Sequence, residues 1–375
     1  LSGLTNSGSI GGAVTGIKLA QSSLSGGLYN TGIVQGSSFA LNIDANSLLS
    51  GGITISGASA TFVGALGNAG LIQDGVNVNA GALAGGVYNT GTIGSGSVAG
   101  IYLASNASLL AGLTNSGSIG GAVTGIKLAQ SSLSGGLYNT GTISGGQYGI
   151  GLSQSVLLGG ITNDGSIAGG TYGIYLKNGS TVAGSVLNTG YIVGGTYSIY
   201  VEAGSTISGG LTNSGTVTGS NYGIYLSGNQ VDGIANLGSL GGSIAGIYLT
   251  QASLSRGIQN TGSISGGSYG VALVSSSITG FIYNTGAINA QIGVSLAQSR
   301  LSVGLTNSGS IGGVATGIKL AQSSLSGGLN NTGIVAGSTY AINIDANSLL
   351  SGGVTISGAT ATFVGALGNA GLIQD

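Results

Sequence analysis

Apolar and polar residues alternate at period two along this chain, in short runs cut by glycine, serine, asparagine and threonine, and the runs recur at a steady distance. In the first copy Leu4, Asn6, Gly8 and Ile10 share one parity, while Thr5, Ser7 and Ser9 share the other. On a β-strand the first set faces the interior and the second faces solvent. A Gly11-Gly12 corner follows, then Ile17 and Leu19 point in with Lys18 out. Leu24 marks a short third side, and Gly26-Gly27 turns the chain into the next unit. The anchor of the pattern is Asn-x-Gly, at Asn6, Asn30, Asn89, Asn115, Asn139, Asn163, Asn188, Asn213, Asn236, Asn260, Asn284, Asn307 and Asn331, and from Asn89 onward the anchors follow one another at a nearly constant step. Helical repeats need roughly 33 or more residues and stretches at period 3.6, which are absent. The pattern predicts an all-β chain, a parallel β-helix or β-solenoid of roughly triangular section, with about 24 residues per coil and about 15 coils.

A longer period lies above the coil. Residues 4 to 74 return at 305 to 375, an offset of 301, with nine substitutions. This predicts one continuous solenoid over 1–375 on a super-repeat of about 301 residues, residues 302–375 repeating 1–74. The ladder breaks near 50–88, and again in the copy near 351–375, where extra apolar strand is inserted. An irregular, enlarged rung is expected there, with Asn68 as the off-beat anchor of a shortened one. Because the sequence starts and stops within its repeat, the expectation is a slab of a longer chain or filament.

An inward asparagine costs free energy unless its amide finds partners. Stacking supplies them: identical amides about 4.8 Å apart can each donate to the next and accept from the previous. The thirteen anchors are therefore expected to form a structural ladder. The spacing also sorts the charges. Lys177 and Glu202 each lie fourteen residues after their anchors, and Asp232 and Arg256 each lie four before theirs. Both pairs are expected on adjacent rungs, where exposed ion pairs contribute up to about 1 kcal/mol and set register more than stability.

Composition narrows the function. The chain has 81 Gly and no Pro, Cys, His, Met or Trp among 375 residues. Proline's absence suits strands that use every N–H for pairing. Without Cys or His the usual transition-metal ligands, thiol nucleophile and imidazole base are missing, so no cofactor and no catalytic site is expected. No two carboxylates fall on adjacent rungs of one column as a glycoside-cleaving pair would, which leaves a polysaccharide-active β-helix a distant alternative. Six basic residues against seven acidic ones give no stripe for phosphates, which argues against nucleic acid as partner. Every apolar run is too short for a transmembrane helix. With only 3% charged residues, little repulsion opposes self-association.

Two outward arrays are candidates for binding. Tyr175, Tyr200, Tyr225 and Tyr248 each lie twelve residues after an anchor, a stripe suited to a sugar ring or a neighbouring fibre. Lys18, Lys127 and Lys319 are expected in the same column in three near-identical units, while Tyr172, Tyr197, Tyr222 and Tyr269 read as an inner column. Hydroxyls one and three residues after the anchors suggest an ice-binding face, but Asp164, Tyr191, Leu237 and Ala287 interrupt them.

The run "LTNSGSIGG…GIKLAQSSLSGGLYNTGTI" resembles the repetitive passenger regions of bacterial autotransporters and related filamentous adhesins. The resemblance covers nearly the whole chain and carries no catalytic residue. It implies export across a Gram-negative-type envelope to the cell surface or beyond, and a role in adhesion, biofilm or surface structure. The partners expected are the chain itself, through end-to-end and lateral contacts, and host or matrix glycans.

Overall fold

The coil at residues 113–136 shows how the pattern becomes backbone in this computed structural model, which describes residues 2–94, 96 and 98–374. Four strand segments, Leu113–Asn115, Ser118–Gly121, Thr124–Ala129 and Ser132–Leu133, follow one another round the coil. Each pairs in parallel with its counterpart one coil on: Leu113 with Leu137, Ser118 with Thr142, Thr124 with Tyr148, Ser132 with Val156. Every inward Leu or Ile thus sits on another, and Ile119, Ile126, Leu128 and Leu133 are fully buried. Each such side chain contributes about 1.5–3 kcal/mol on leaving water. Among the described residues the chain is all-β, without helices, a β-solenoid of about 15 coils of about 24 residues.

The corners differ from the sequence expectation. The first bend comes straight after the asparagine, at Ser116-Gly117, and Gly120-Gly121 stays within a strand. In Ile33–Ile43, Ala287–Ala297, Ser310–Ala321 and Ile334–Ile344 the second and third segments run through as one strand, and with that pair taken as one the coil has three sides. At the sharp corner after the third segment most coils place a residue other than glycine at positive φ, Gln130, Gln154 and Asn178 at +50 to +55° and Gln251, Ser275, Gln298 and Gln322 at +49 to +51°, while Gly228 at +58° takes the place in another. Glutamine and asparagine tolerate this bend because their amides reach polar groups nearby; Gln130 Nε2 donates to Gln154 Oε1 at 3.2 Å. Glycine takes positive φ at the turn into the first segment, as at Gly86, Gly210 and Gly328, and elsewhere serves close approach. A Cβ on Gly135 would run into the carbonyl oxygen of Ala111 on the preceding coil.

The chain divides into two compact units, Leu1–Val186 with Gly190–Gly194, and Leu187–Thr189 with Gly195–Asp375. Within the first, the segment near 50–88 carries the expected irregularity on one side, where Ile33 pairs with Thr61, 28 residues on, with register shifts between Gln35 and Phe39 and between Phe39 and Leu41, while the facing file keeps ordinary steps. Leu28 pairs with Ile53, Ile53 with Val76, and Val76 with Ile101, each step a single coil of ordinary length. The phase of the motif changes as well. The file that starts as first segments, Leu4–Asn6 and Leu28–Asn30, continues as the third segments Ala99–Ala104 and Thr124–Ala129. Meanwhile Ile33–Ile43 pairs with Thr61–Asn68, which pairs onward with the fourth segment Ala82–Leu83 and the first segment Val87–Asn89. Asn68 therefore follows Asn30 by one and a half coils instead of one, and the motif slides half-way round. The second unit repeats the device: Asn331 pairs with Ile356 and Ile344 with Asn369, so Asn369 stands to Asn331 as Asn68 stands to Asn30.

Candidate functional site

The asparagines form separate files. In the first unit Asn6 Nδ2 donates to Asn30 Oδ1 at 2.8 Å, and that file stops because Asn30 lies in register with Ile55. A new one starts on the opposite side at Asn68 and runs through Asn89, Asn115, Asn139 and Asn163, each Nδ2 to the next Oδ1 at 2.7–2.8 Å. Asn68 Oδ1 is buried with no donor, since the residue in register before it is Ile43. In the second unit Asn188, Asn213, Asn236, Asn260, Asn284, Asn307 and Asn331 make the same chain at 2.7–2.8 Å. Each amide also ties down its own corner. Asn139 Nδ2 reaches Gly141 O at 3.1 Å and Ser166 O at 3.2 Å, its two hydrogens shared among three acceptors.

A second buried file, of serines, escaped the sequence reading. The N–H of Ser131 donates to Ser155 Oγ at 3.2 Å and that of Ser155 to Ser180 Oγ at 3.3 Å. In the second unit the N–H groups of Ser276, Ser299 and Ser323 reach the Oγ of Ser299, Ser323 and Ser348 at 3.0–3.2 Å. The hydroxyls of Ser131, Ser155, Ser180, Ser276, Ser299 and Ser323 donate back to the chain, as from Ser155 Oγ to Ser153 O at 2.8 Å. The signal was a serine two residues before the inward Leu, Val or Ile of most fourth segments, with Gly81, Ala107, Asn229 and Ala252 as the exceptions.

The charges fall into place by unit. Arg256 Nε lies 3.0 Å from Asp232 Oδ2, and Ser255 Oγ donates to Asp232 Oδ1 at 2.7 Å. This cluster walls a shallow groove of about 420 Å³ that includes Gly210, Gly233 and Phe281. Lys177 belongs to the first unit, its Nζ 5.6 Å from the Tyr175 ring; Glu202 belongs to the second, where its Oε2 is buried without a partner. Two further pairs join neighbouring coils, Lys18 with Asp44 at 3.4 Å and Lys319 with Asp345 at 3.7 Å. Asp164 accepts from the Tyr138 hydroxyl at 2.8 Å, which raises the Tyr138 pKa. Lys18 and Lys127 share a motif position but not a file. The Lys18 file continues through Asn42, Gly67 and Tyr88, that of Lys127 through Tyr102 and Asn77.

The tyrosines are outward and clustered. Tyr172, Tyr197, Tyr222 and Tyr269 do not fill the core: Gly173-Ile174, Ser198-Ile199, Gly223-Ile224 and Gly270-Val271 are both-buried pairs, so alternation slips by one and the preceding ring lies outside. In the first unit Tyr172 stacks on Tyr175 at 4.4 Å between ring centroids and on Tyr148 at 5.4 Å. In the second Tyr197, Tyr200, Tyr222, Tyr225 and Tyr248 contact one another at 4.9–5.4 Å, some stacked and some edge-on. Burial among these rings, then the neighbouring hydroxyls of Tyr200 and Tyr248, push the Tyr225 pKa up to about 12. Burial also raises Tyr222 and Tyr248. Because the folded-state pKa lies above the usual value near 10, the cluster's contribution to stability is complete below about pH 10 and is lost as pH climbs towards 12. An absorbance titration at tyrosinate wavelengths should therefore show a late-ionising fraction that Tyr225→Phe reduces; a single transition near pH 10 would contradict this packing.

Parallel coils locked by two kinds of side-chain file define a β-solenoid repeat protein. Comparison with protein-family models, curated proteins and solved structures finds no match.

Proposed function

We propose that the chain is a non-enzymatic structural segment of an extracellular fibre on the bacterial surface, comparable to the autotransporter and filamentous adhesin passengers its sequence resembles. The observation that carries this reading is the asparagine file. The residue that anchors every repeat is consumed in joining one coil to the next and in fixing a corner, so the repeated sequence serves shape. Weakly charged outer faces then favour lateral association between copies. Negative-stain microscopy of native material is expected to show long thin fibres, and finding only short separate particles would count against the proposal.

A second reading, a glycan- or receptor-binding adhesin, is favoured by the five contacting rings of the second unit. Serine at Tyr175, Tyr200, Tyr225 and Tyr248 should then abolish cell or glycan binding while leaving fibres intact. Unchanged binding removes this reading and leaves the first standing.

A further inference from the structure

Position 151 in the first unit interrupts its column. Lys127, Gly151 and Tyr175 are successive neighbours in register on the outer face of the third segment, so a long side chain stands on either side of a missing one. The backbone does not require this glycine. A Cβ at 151 would meet nothing nearer than 3.7 Å, in contrast to Gly135. What the glycine leaves is a notch of about 210 Å³, rimmed by Lys127, Lys177, Tyr148, Tyr175, Thr124 and Ser153. That is below the roughly 300–1,000 Å³ of pockets for drug-sized molecules, and it suits a single ring.

The electrostatics of the notch are one-sided. Lys18 and Lys319, at the same motif position as Lys127, are neutralised by Asp44 and Asp345 of the next coil. Beside Lys127 the corresponding place is held by Ser153, two residues after its register partner Gly151. No carboxylate lines the notch. Both ammonium groups rest on rings instead, Lys127 Nζ 4.5 Å from the centre of Tyr102 and Lys177 Nζ 5.6 Å from that of Tyr175. Such contacts hold a cation in place without cancelling its charge. The two lysines belong to coils two steps apart, roughly 10 Å along the axis, which is the span of one or two sugar units.

We propose that this notch binds a sugar residue carrying a carboxylate or sulfate, as in a uronic acid-containing or sulfated glycan. Lys127 and Lys177 take the anionic group, Tyr148 and Tyr175 supply apolar surface for the ring, and the hydroxyls of Thr124 and Ser153 meet its hydroxyls. The site is independent of the fibre reading and uses only Tyr175 of the aromatic stripe.

Calorimetric titration of the full chain with a glucuronate-containing oligosaccharide, its neutral glucose counterpart and inorganic sulfate tests the proposal. The acidic oligosaccharide is expected to bind, with affinity falling as salt rises. Gly151→Tyr fills the notch with the side chain position 175 already carries, and the pair Lys127→Gln and Lys177→Gln removes charge while keeping the outline. Each should weaken binding at least tenfold with an unchanged thermal transition. The proposal is overturned if the acidic oligosaccharide does not bind, if folded Gly151→Tyr or the double glutamine variant binds it normally, or if the neutral sugar or sulfate alone binds as well.

Discussion

Asn139→Ala lowers the stability of the first unit by about 3–5 kcal/mol, although the substitution removes no charge and little apolar surface. In the native unit this amide accepts from Asn115 Nδ2 at 2.7 Å and donates to Asn163 Oδ1, Gly141 O and Ser166 O at 2.8–3.2 Å. Alanine leaves Asn115 short of an acceptor and Asn163 Oδ1 short of its donor, in a place that excludes water, while Gly141 O keeps the Ser166 N–H at 2.9 Å. A buried polar atom stripped of its partner costs about 1–3 kcal/mol, and partial sharing with the remaining contacts keeps the sum below the full total. Asn68 provides an internal control. Its Oδ1 has no donor to begin with, so Asn68→Ala breaks only the downstream bonds and should cost about 1 kcal/mol less. Denaturant unfolding read by hydrogen exchange checks both, since repeat arrays can melt locally. If Asn139→Ala stays within about 1 kcal/mol of the parent, or Asn68→Ala proves the more damaging, the file is not what holds the coils.

Period-two parity made the core legible from sequence: Leu113, Asn115 and Ile119 inward, Thr114 and Ser118 on the other parity. It failed where the backbone leaves strict alternation. Gly173 and Ile174 are both buried, and this single slip turns Tyr172 from an inner residue into an outer one stacked on Tyr175. The corners were misplaced for a related reason. Glycine pairs look like turns, yet Gly120-Gly121 is strand, while the positive φ falls on Gln130, whose type gives little warning. The half-coil slide was present in the numbering, because Asn68 follows Asn30 at one and a half times the usual anchor distance. Counting anchors in whole coils concealed it, since the backbone keeps its period while the motif changes sides. The pairing of Lys18 with Asp44 was likewise hidden, as it joins a strand residue to the corner of the next coil. The notch at Gly151 exists only in the folded chain, because only the space around a glycine tells whether the backbone requires it.

Phe62→Ala is expected to cost about 3–5 kcal/mol and to break the first unit at the place where the motif changes phase. Phe62 is fully buried. It lies in register with Val34, a second-segment residue, on one side and with Leu83, a fourth-segment residue, on the other, so it is the core contact through which one file becomes another. Alanine opens a cavity that flanking strands cannot close without giving up their own pairing to 33–43 and 82–83. In a solenoid each coil touches only its neighbours, so the loss stays local. Hydrogen exchange should show 53–83 losing protection together while 113–163 keeps the parent's slow rates. Phe62→Leu, which restores the aliphatic character of Val34 and Leu83, should cost less than about 1.5 kcal/mol and leave the exchange pattern intact. Protection lost evenly along the unit would mean that coils unfold as one block, and that the coil carrying the phase change is no weaker than the regular ones around it.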